Sequence, residues 1–297
     1  MITPQPGIFA QGTRSQYHLE FDLAEGTEPD AVAAAVGRLR EPSVTSGGTN
    51  MVVGFRADLW RRIAPGDAPA DAHDFAGVDA DGGGAPATPH DVWVWLHGTG
   101  PDVLLDNARA VVAALAPEVT LAQDEPCFVY LDSRDLTGFI DGTENPQVDE
   151  APEVAIVPPG QPGEGGSHVI TMKWVHDLIS FHALSPEDQE AVIGRTKPDS
   201  QERNDKPATA HISRVVVEDD HGEELEIYRR SVPYGRVREL GLYFVAFSAD
   251  PTRFEIMLNR MFGKADGIHD RLTDFTKPVS GAFYFAPSLE SLRKLGE

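Results

Sequence analysis

Cysteine is almost missing from this sequence: one residue, Cys127, in 297. No disulfide can form within the chain, which suits a reducing compartment. No Cys-x-x-Cys pair is present to hold zinc or an iron–sulfur cluster, and there is no His-Glu-x-x-His sequence. Cys127 itself stands in the strand-like run Cys127-Phe-Val-Tyr-Leu131 and reads as a small buried hydrophobe. Positive charge is scarce too, with 25 Lys and Arg against 47 Asp and Glu and a net charge of −22. Nucleic acids and anionic membranes attract basic surfaces, so neither is expected as a partner. No apolar run approaches the roughly 20 residues of a membrane-spanning helix. The N-terminus, Met1-Ile-Thr-Pro-Gln-Pro-Gly7, lacks the basic and apolar regions of a secretory signal. The expectation is a soluble cytoplasmic protein.

What is present is a regular alternation of strand and helix patterns. Tyr17, Leu19, Phe21 and Leu23 recur with the period of a half-buried strand. A helical spacing follows over 30–39 (Val32, Ala35, Val36, Leu39). Further strands are expected over 50–55, 92–96, 127–131, 168–174, 240–247 and 281–285. Helices are expected over 57–63, 101–115, 186–193, 251–262 and 289–295, with Ser185 as an N-cap. Residues 65–89, rich in Ala, Gly, Asp and Pro, read as a long loop. A second Pro/Gly-rich stretch, 152–166, suggests a boundary between halves 1–148 and 149–297. The halves look alike. Val53-Gly-Phe-Arg-Ala-Asp58 parallels Val245-Ala-Phe-Ser-Ala-Asp250. Val92–Leu96 and its helix parallel Ala282–Phe285 and the last helix. Tyr17–Leu23 parallels Val169–Trp174. The fold class implied is α+β: duplicated ferredoxin-like half-domains with antiparallel sheets and peripheral helices.

One stretch organises the rest: Gly138-Phe-Ile-Asp141-Gly142-Thr-Glu-Asn145-Pro146. It sets a carboxylate in a turn between two glycines, directly after an apolar pair that pins the turn to a core. A carboxylate buried there must be paired or shifted in pKa. Downstream, Lys206-Pro-Ala-Thr-Ala-His211-Ile-Ser-Arg214 places a histidine where a loop enters an element, suited to capping, packing or metal ligation. Ile227-Tyr-Arg229-Arg230-Ser231-Val-Pro233-Tyr-Gly235 presents two adjacent arginines.

The Gly138–Pro146 stretch resembles the GxxDG motif of the dye-decolorizing peroxidases, a haem-enzyme family. The resemblance runs from about residue 15 onward and looks most like the compact B-type group; residues 65–89 show no family pattern. It implies haem b bound in the C-terminal half, with His211, in its Ala-His-x-x-Arg setting, as the axial ligand. Arg229 falls at the position of a distal arginine four residues before Pro233, and Ser231 at that of a distal Asn or Ser. Arg195, in Ile193-Gly-Arg195-Thr-Lys, is expected to meet a haem propionate. Phe244, in Leu240-Gly-Leu-Tyr-Phe244, is expected to contact the haem. The segment Asp270-Arg-Leu-Thr-Asp274 supplies an acidic partner for the axial histidine, with Asp274 preferred to Asp270. The implied activity is reduction of hydrogen peroxide through a ferryl state, followed by one-electron oxidation of dyes or other small aromatic reductants. Asp141 would move the proton and Arg229 would stabilise developing charge. The competing reading is a haem-handling protein that stores or delivers haem, or releases its iron. A homo-oligomer is expected by the same resemblance.

Overall fold

The computed structural model describes residues 2–39, 48–80, 83–219 and 221–295. Its first half runs β1 (Ser15–Leu23), α1 (Pro29–Gly37), β2 (Asn50–Phe55), α2 (Ala57–Ile63), β3 (Val92–Gly98), α3 (Pro101–Leu115) and β4 (Val119–Phe128). The chain continues through α4 (Ala151–Ala155), β5 (Ser167–His176), α5 (Leu178–His182), α6 (Pro186–Ile193) and α7 (His211–Val215). It ends with β6 (Tyr228–Arg229), β7 (Val232–Gly235), β8 (Leu240–Ser248), α8 (Thr252–Met261), β9 (Thr276–Pro278), β10 (Ala282–Ala286) and α9 (Leu289–Lys294).

All strand pairs are antiparallel, and the order explains the internal likeness. The first half pairs as β4-β1-β3-β2 and the second as β10-β5-β8-β7. Each is the strand order of a ferredoxin-like βαββαβ unit. The two join edge to edge, β2 to β10 through Phe55 and Phe285, and β4 to β7 through Cys127 and Tyr234. The strands therefore close a ring in which each half covers the other's open edges. The duplication is real, but only one of the three sequence parallels joins equivalent strands: β1 with β5. The parallel of 53–58 with 245–250 sets a second strand against a third, and that of 92–96 with 282–285 sets a third against a fourth. A strand running into a helix recurs several times in each unit, so short likenesses do not fix the alignment.

Strand alternation sorts the side chains into three layers. Inside the ring lie Trp93, Trp95, Tyr243, Phe247 and Tyr284, all buried, with His18 stacked 4.0 Å from the Tyr243 ring. Glu20 is buried among them and accepts hydrogen bonds from the Tyr243 and Tyr284 hydroxyls at 3.1 and 3.3 Å. Burial raises its pKa, and those donors oppose the rise. On one outer side, Leu19, Phe21, Val53 and Leu96 pack under α1, α2 and α3. On the other, Ile170, Met172 and Ala246 pack under α8, whose Phe254, Met257, Leu258 and Met261 face inward. Each such side chain contributes roughly 1.5–3 kcal/mol on burial. Between this second helical layer and the sheet the packing opens into a cavity.

Candidate active site

The cavity encloses about 1100 Å³ of empty space, part of it continuous with solvent. Its sheet wall is Met172 and Trp174 of β5 with Leu242 and Phe244 of β8; its far wall is Met257 and Met261 of α8. Residues two apart on a strand share a face, which is why 242 and 244, and 172 and 174, act together. Phe244 thus lines the cavity. The walls are mostly apolar, and the few polar groups come from loops, from strand ends (His176, Arg229 and Thr276) and from one short helix.

His211 opens that helix, α7, and lines the cavity. The helix is pinned by buried Arg214, which donates to Asp266 Oδ1 at 2.7 Å and to the Arg260 carbonyl at 3.1 Å. His211 Nδ1 lies 2.6 Å from Asp270 Oδ2. Asp270 has no exposed side-chain surface, and its Oδ1 accepts the Leu272 N–H at 2.8 Å. With Nδ1 as the donor, the lone pair of Nε2 is left for the cavity. The carboxylate bonded to the histidine is therefore Asp270, not Asp274. Asp270 caps the 3₁₀ turn Arg271–Asp274 from the buried side, whereas Asp274 at its end is half exposed and meets His269 at 3.2 Å. The signal in the sequence was a cap: an aspartate two residues ahead of the leucine whose N–H it accepts.

Asp141 lines the same cavity. Gly138 and Gly142 adopt φ of 91° and 79°, so the turn needs glycine at both places. The Asp141 N–H donates to the Ser133 carbonyl at 3.0 Å. Its carboxyl lies deep in the protein but faces empty space. Burial raises its pKa above the usual carboxylate range, and the charge of Arg229 opposes that rise; Asp135 adds to it. No ion pair links Asp141 to Arg229 among the described residues, so Arg229 acts through space. Arg229 sits in β6, and its buried Nε has no hydrogen-bond partner.

Asp141 and Arg229 line three spaces at once. One is the apolar cavity. The second is a polar pocket with about 1450 Å³ of empty space, bordered by Gln11, Arg14, Asn145, Arg230 and Ser231. The third is a mouth that also holds His211, Glu144 and Arg195. Ser231 borders the polar pocket only, and its Oγ accepts the Val245 N–H at 3.1 Å. That serine fills a gap in the ladder between β6 and β7, which run along β8 in one register. Its neighbour Arg230 turns the other way, donating to the Ile8 and Ala10 carbonyls and lying over the Trp95 ring. Arg195 pairs with Glu144 and approaches Glu202 at 3.8 Å, while its Nε is buried without a partner.

Sequence reasoning missed two features here. Asn145 spans to Arg229, with Nδ2 donating to the Arg229 carbonyl at 2.7 Å and Oδ1 accepting its N–H at 2.8 Å. His176 also lines the cavity, bonded to Asp135 at 3.0 Å and to Thr276 Oγ1 at 2.7 Å. Nothing local to either residue announced its partner, which lies 84 residues away for Asn145 and 41 for the His176–Asp135 pair.

These residues fit an iron porphyrin. The apolar cavity suits the ring, His211 offers a free imidazole nitrogen, and the guanidiniums of Arg195 and Arg229, each with a buried unpartnered Nε, suit anionic groups. Comparison with known proteins decides the family. The N-terminal region of the Dyp-type peroxidases matches residues 5–128, and the C-terminal region matches 132–291. The chain belongs to the Dyp-type peroxidase family. It is similar to the dye-decolorizing peroxidase of Rhodococcus erythropolis, with 37% identity over 97% of this chain and 88% of that one. A dye-decolorizing peroxidase of Mycobacterium tuberculosis is 35% identical over 98% of this chain and 90% of its own. Among solved structures, a Rhodococcus jostii DypB variant in complex with heme superposes with a TM-score of 0.93 at 32% identity, covering 99% of both chains. The encapsulated DyP-type peroxidase from Mycobacterium smegmatis gives 0.88 at 34%, covering 99% of this chain and 98% of that one. As a Dyp-type peroxidase, the chain is a haem-dependent oxidoreductase with an α+β fold. Among the described residues, no helix is long and apolar enough to cross a membrane.

Proposed function

We propose that this Dyp-type peroxidase holds haem b in the apolar cavity through His211 Nε2 and reduces hydrogen peroxide at the face occupied by Asp141 and Arg229. One observation carries the reading: Asp141 and Arg229 stand where the apolar cavity that contains His211 meets the polar pocket. Haem held there would supply the two electrons that break the peroxide O–O bond, to be restored singly by an aromatic reductant. Everything else falls to the protein. Asp270 accepts the His211 Nδ1 proton in a hydrogen bond, which fixes the ring and makes Nε2 a stronger donor. The polar pocket leads hydrogen peroxide to Asp141 past groups that hydrogen-bond it, while the apolar walls exclude larger polar molecules. Asp141, ionised, takes a proton from the peroxide and returns it to the oxygen that leaves as water. Arg229 stabilises the negative charge that develops on that oxygen. Arg195, at the mouth, would exchange part of its pairing with Glu144 for a propionate carboxylate.

Asp141 must lose its proton to act, yet burial favours the protonated form. The neighbouring Arg229 limits that shift, so the two residues work as a pair. A haem-handling protein would need neither residue at that position. The test is the absorption spectrum of the reconstituted protein, mixed with one equivalent of hydrogen peroxide and then with a reducing dye. A Soret band that shifts and then returns supports the reading. A band that only bleaches, with iron released, overturns it in favour of haem handling.

A further inference from the structure

Asn145 forms the most specific long-range contact of the site, and the proton-transfer chemistry above makes no use of it. It is the last residue before Pro146, which restricts it to extended backbone. Its own N–H already closes the Gly142 turn by donating to the Gly142 carbonyl at 3.1 Å. The side chain is therefore not needed for the turn. Both of its polar atoms go to one residue, taking the N–H and the carbonyl of Arg229 at 2.8 and 2.7 Å.

The backbone geometry shows what this does. In an antiparallel strand, successive residues direct their N–H and C=O to opposite edges. Arg230 directs its N–H to the Val245 carbonyl of β8 at 2.8 Å. Arg229 therefore directs its own pair outward, toward the polar pocket, where no strand follows. The Asn145 amide stands in for that strand, since a side-chain amide carries a donor and an acceptor side by side. At the other end of the side chain, no carboxylate pairs with the Arg229 guanidinium among the described residues, and Nε has no partner. Nothing at the tip fixes the charge, so its position is set from the backbone.

We propose that Asn145 is a positioning residue for the peroxide reaction: its amide clamps the Arg229 backbone to the Asp141–Gly142 turn, holding the guanidinium and the carboxylate in one geometry. The inference rests on the role proposed for Arg229. It joins the two reactive residues through a single side chain, although 84 residues separate its ends. Small misplacements of such groups lower rates roughly a hundredfold.

The test uses the haem-loaded protein and four forms: unaltered, Asn145→Ala, Arg229→Leu and the double variant. Each is read by haem content, by the bimolecular rate with hydrogen peroxide per haem, and by fluoride affinity from the Soret band. Bound fluoride senses a cationic donor and consumes no peroxide. Asn145→Ala is expected to keep its haem, to react roughly ten- to a hundredfold more slowly and to bind fluoride more weakly. The double variant is expected to match Arg229→Leu, since the clamp has nothing left to position. An unchanged rate and fluoride affinity in Asn145→Ala, or equal further losses on the Arg229→Leu background, overturns the proposal. If Arg229→Leu alone reacts at the full rate, it is the role of Arg229 that fails instead. Should Asn145→Ala not fold, Asn145→Asp serves the same measurements: it keeps the acceptor for the Arg229 N–H and loses the donor to its carbonyl.

Discussion

His211 Nδ1 and Asp270 Oδ2 lie 2.6 Å apart, and the aspartate is sealed from solvent. Both of its oxygens are engaged, one by the imidazole and the other by the Leu272 N–H, as a buried carboxylate requires. The pair does two things at once. It holds the imidazole in one orientation, and it lends negative character to the nitrogen that faces the cavity.

Replacing Asp270 by asparagine removes that character without removing the hydrogen-bond geometry. The ferric form should lose stabilisation relative to the ferrous form, and the midpoint potential should rise. A tenfold change in the relative affinity of the two oxidation states corresponds to about 59 mV for one electron. Spectroelectrochemical titration measures it. Asp274→Asn is the control and should leave the potential unchanged, because Asp274 meets His269 at the surface.

His211→Ala should remove the axial nitrogen while leaving the apolar walls intact. Haem content after reconstitution should fall sharply, measured as the Soret-to-protein absorbance ratio. Asp141→Asn and Arg229→Leu should retain haem and slow the peroxide reaction instead, each by about 10²–10³, the scale of removing one acid–base or charge-stabilising group. Stopped-flow mixing with hydrogen peroxide separates the two classes.

The pH dependence follows from the direction of the Asp141 shift. The carboxylate must be ionised to accept a proton, and burial raises its pKa. The peroxide rate should therefore climb as pH rises through that raised pKa. Arg229 opposes the rise, so Arg229→Leu should move this limb to higher pH, seen in rate–pH profiles of the two proteins. Stability carries the opposite sign. A carboxylate whose pKa is higher in the folded state than in the unfolded chain favours folding most at low pH, and that advantage is lost as pH rises through the folded value. Asp141→Asn should thus raise the melting temperature of the haem-free protein at pH 7, and the gain should vanish below the ordinary carboxylate pKa of about 4.

Gly241 is a structural control. A methyl group there would overlap the Trp174 carbonyl oxygen of the adjoining strand. Gly241→Ala must push β8 from β5, the two strands that wall the cavity. A loss of several kcal/mol is expected, beyond the usual 0.5–3 kcal/mol of a point substitution, with haem affinity falling in parallel. Urea denaturation and haem titration check it.

Sequence legibility followed the range of the interactions. β1 declared itself by alternation, β3 by an unbroken apolar run, and helices such as α3 and α8 by an apolar stripe. β4 did so only at its end: a strand was expected over 127–131, whereas it runs Val119–Phe128 and includes the polar run Gln123-Asp-Glu-Pro126. Its backbone pairing with β1 overrides that polarity, since most of its side chains point to solvent. The two-residue β6, which carries Arg229, exists only because β8 lies beside it.

The sequence by itself determined the α+β class, the duplication and the Gly138–Gly142 turn, because local backbone demands carry that information, and its resemblance to the family singled out Asp141, His211 and Arg229, which line one cavity. Only the tertiary structure decided that the halves close a single ring through β2–β10 and β4–β7. It also chose Asp270 over Asp274, committed Ser231 to Val245, and joined Asn145 to Arg229. Each of these depends on which side of a turn or strand faces another element, and that is settled by packing between segments far apart in the chain.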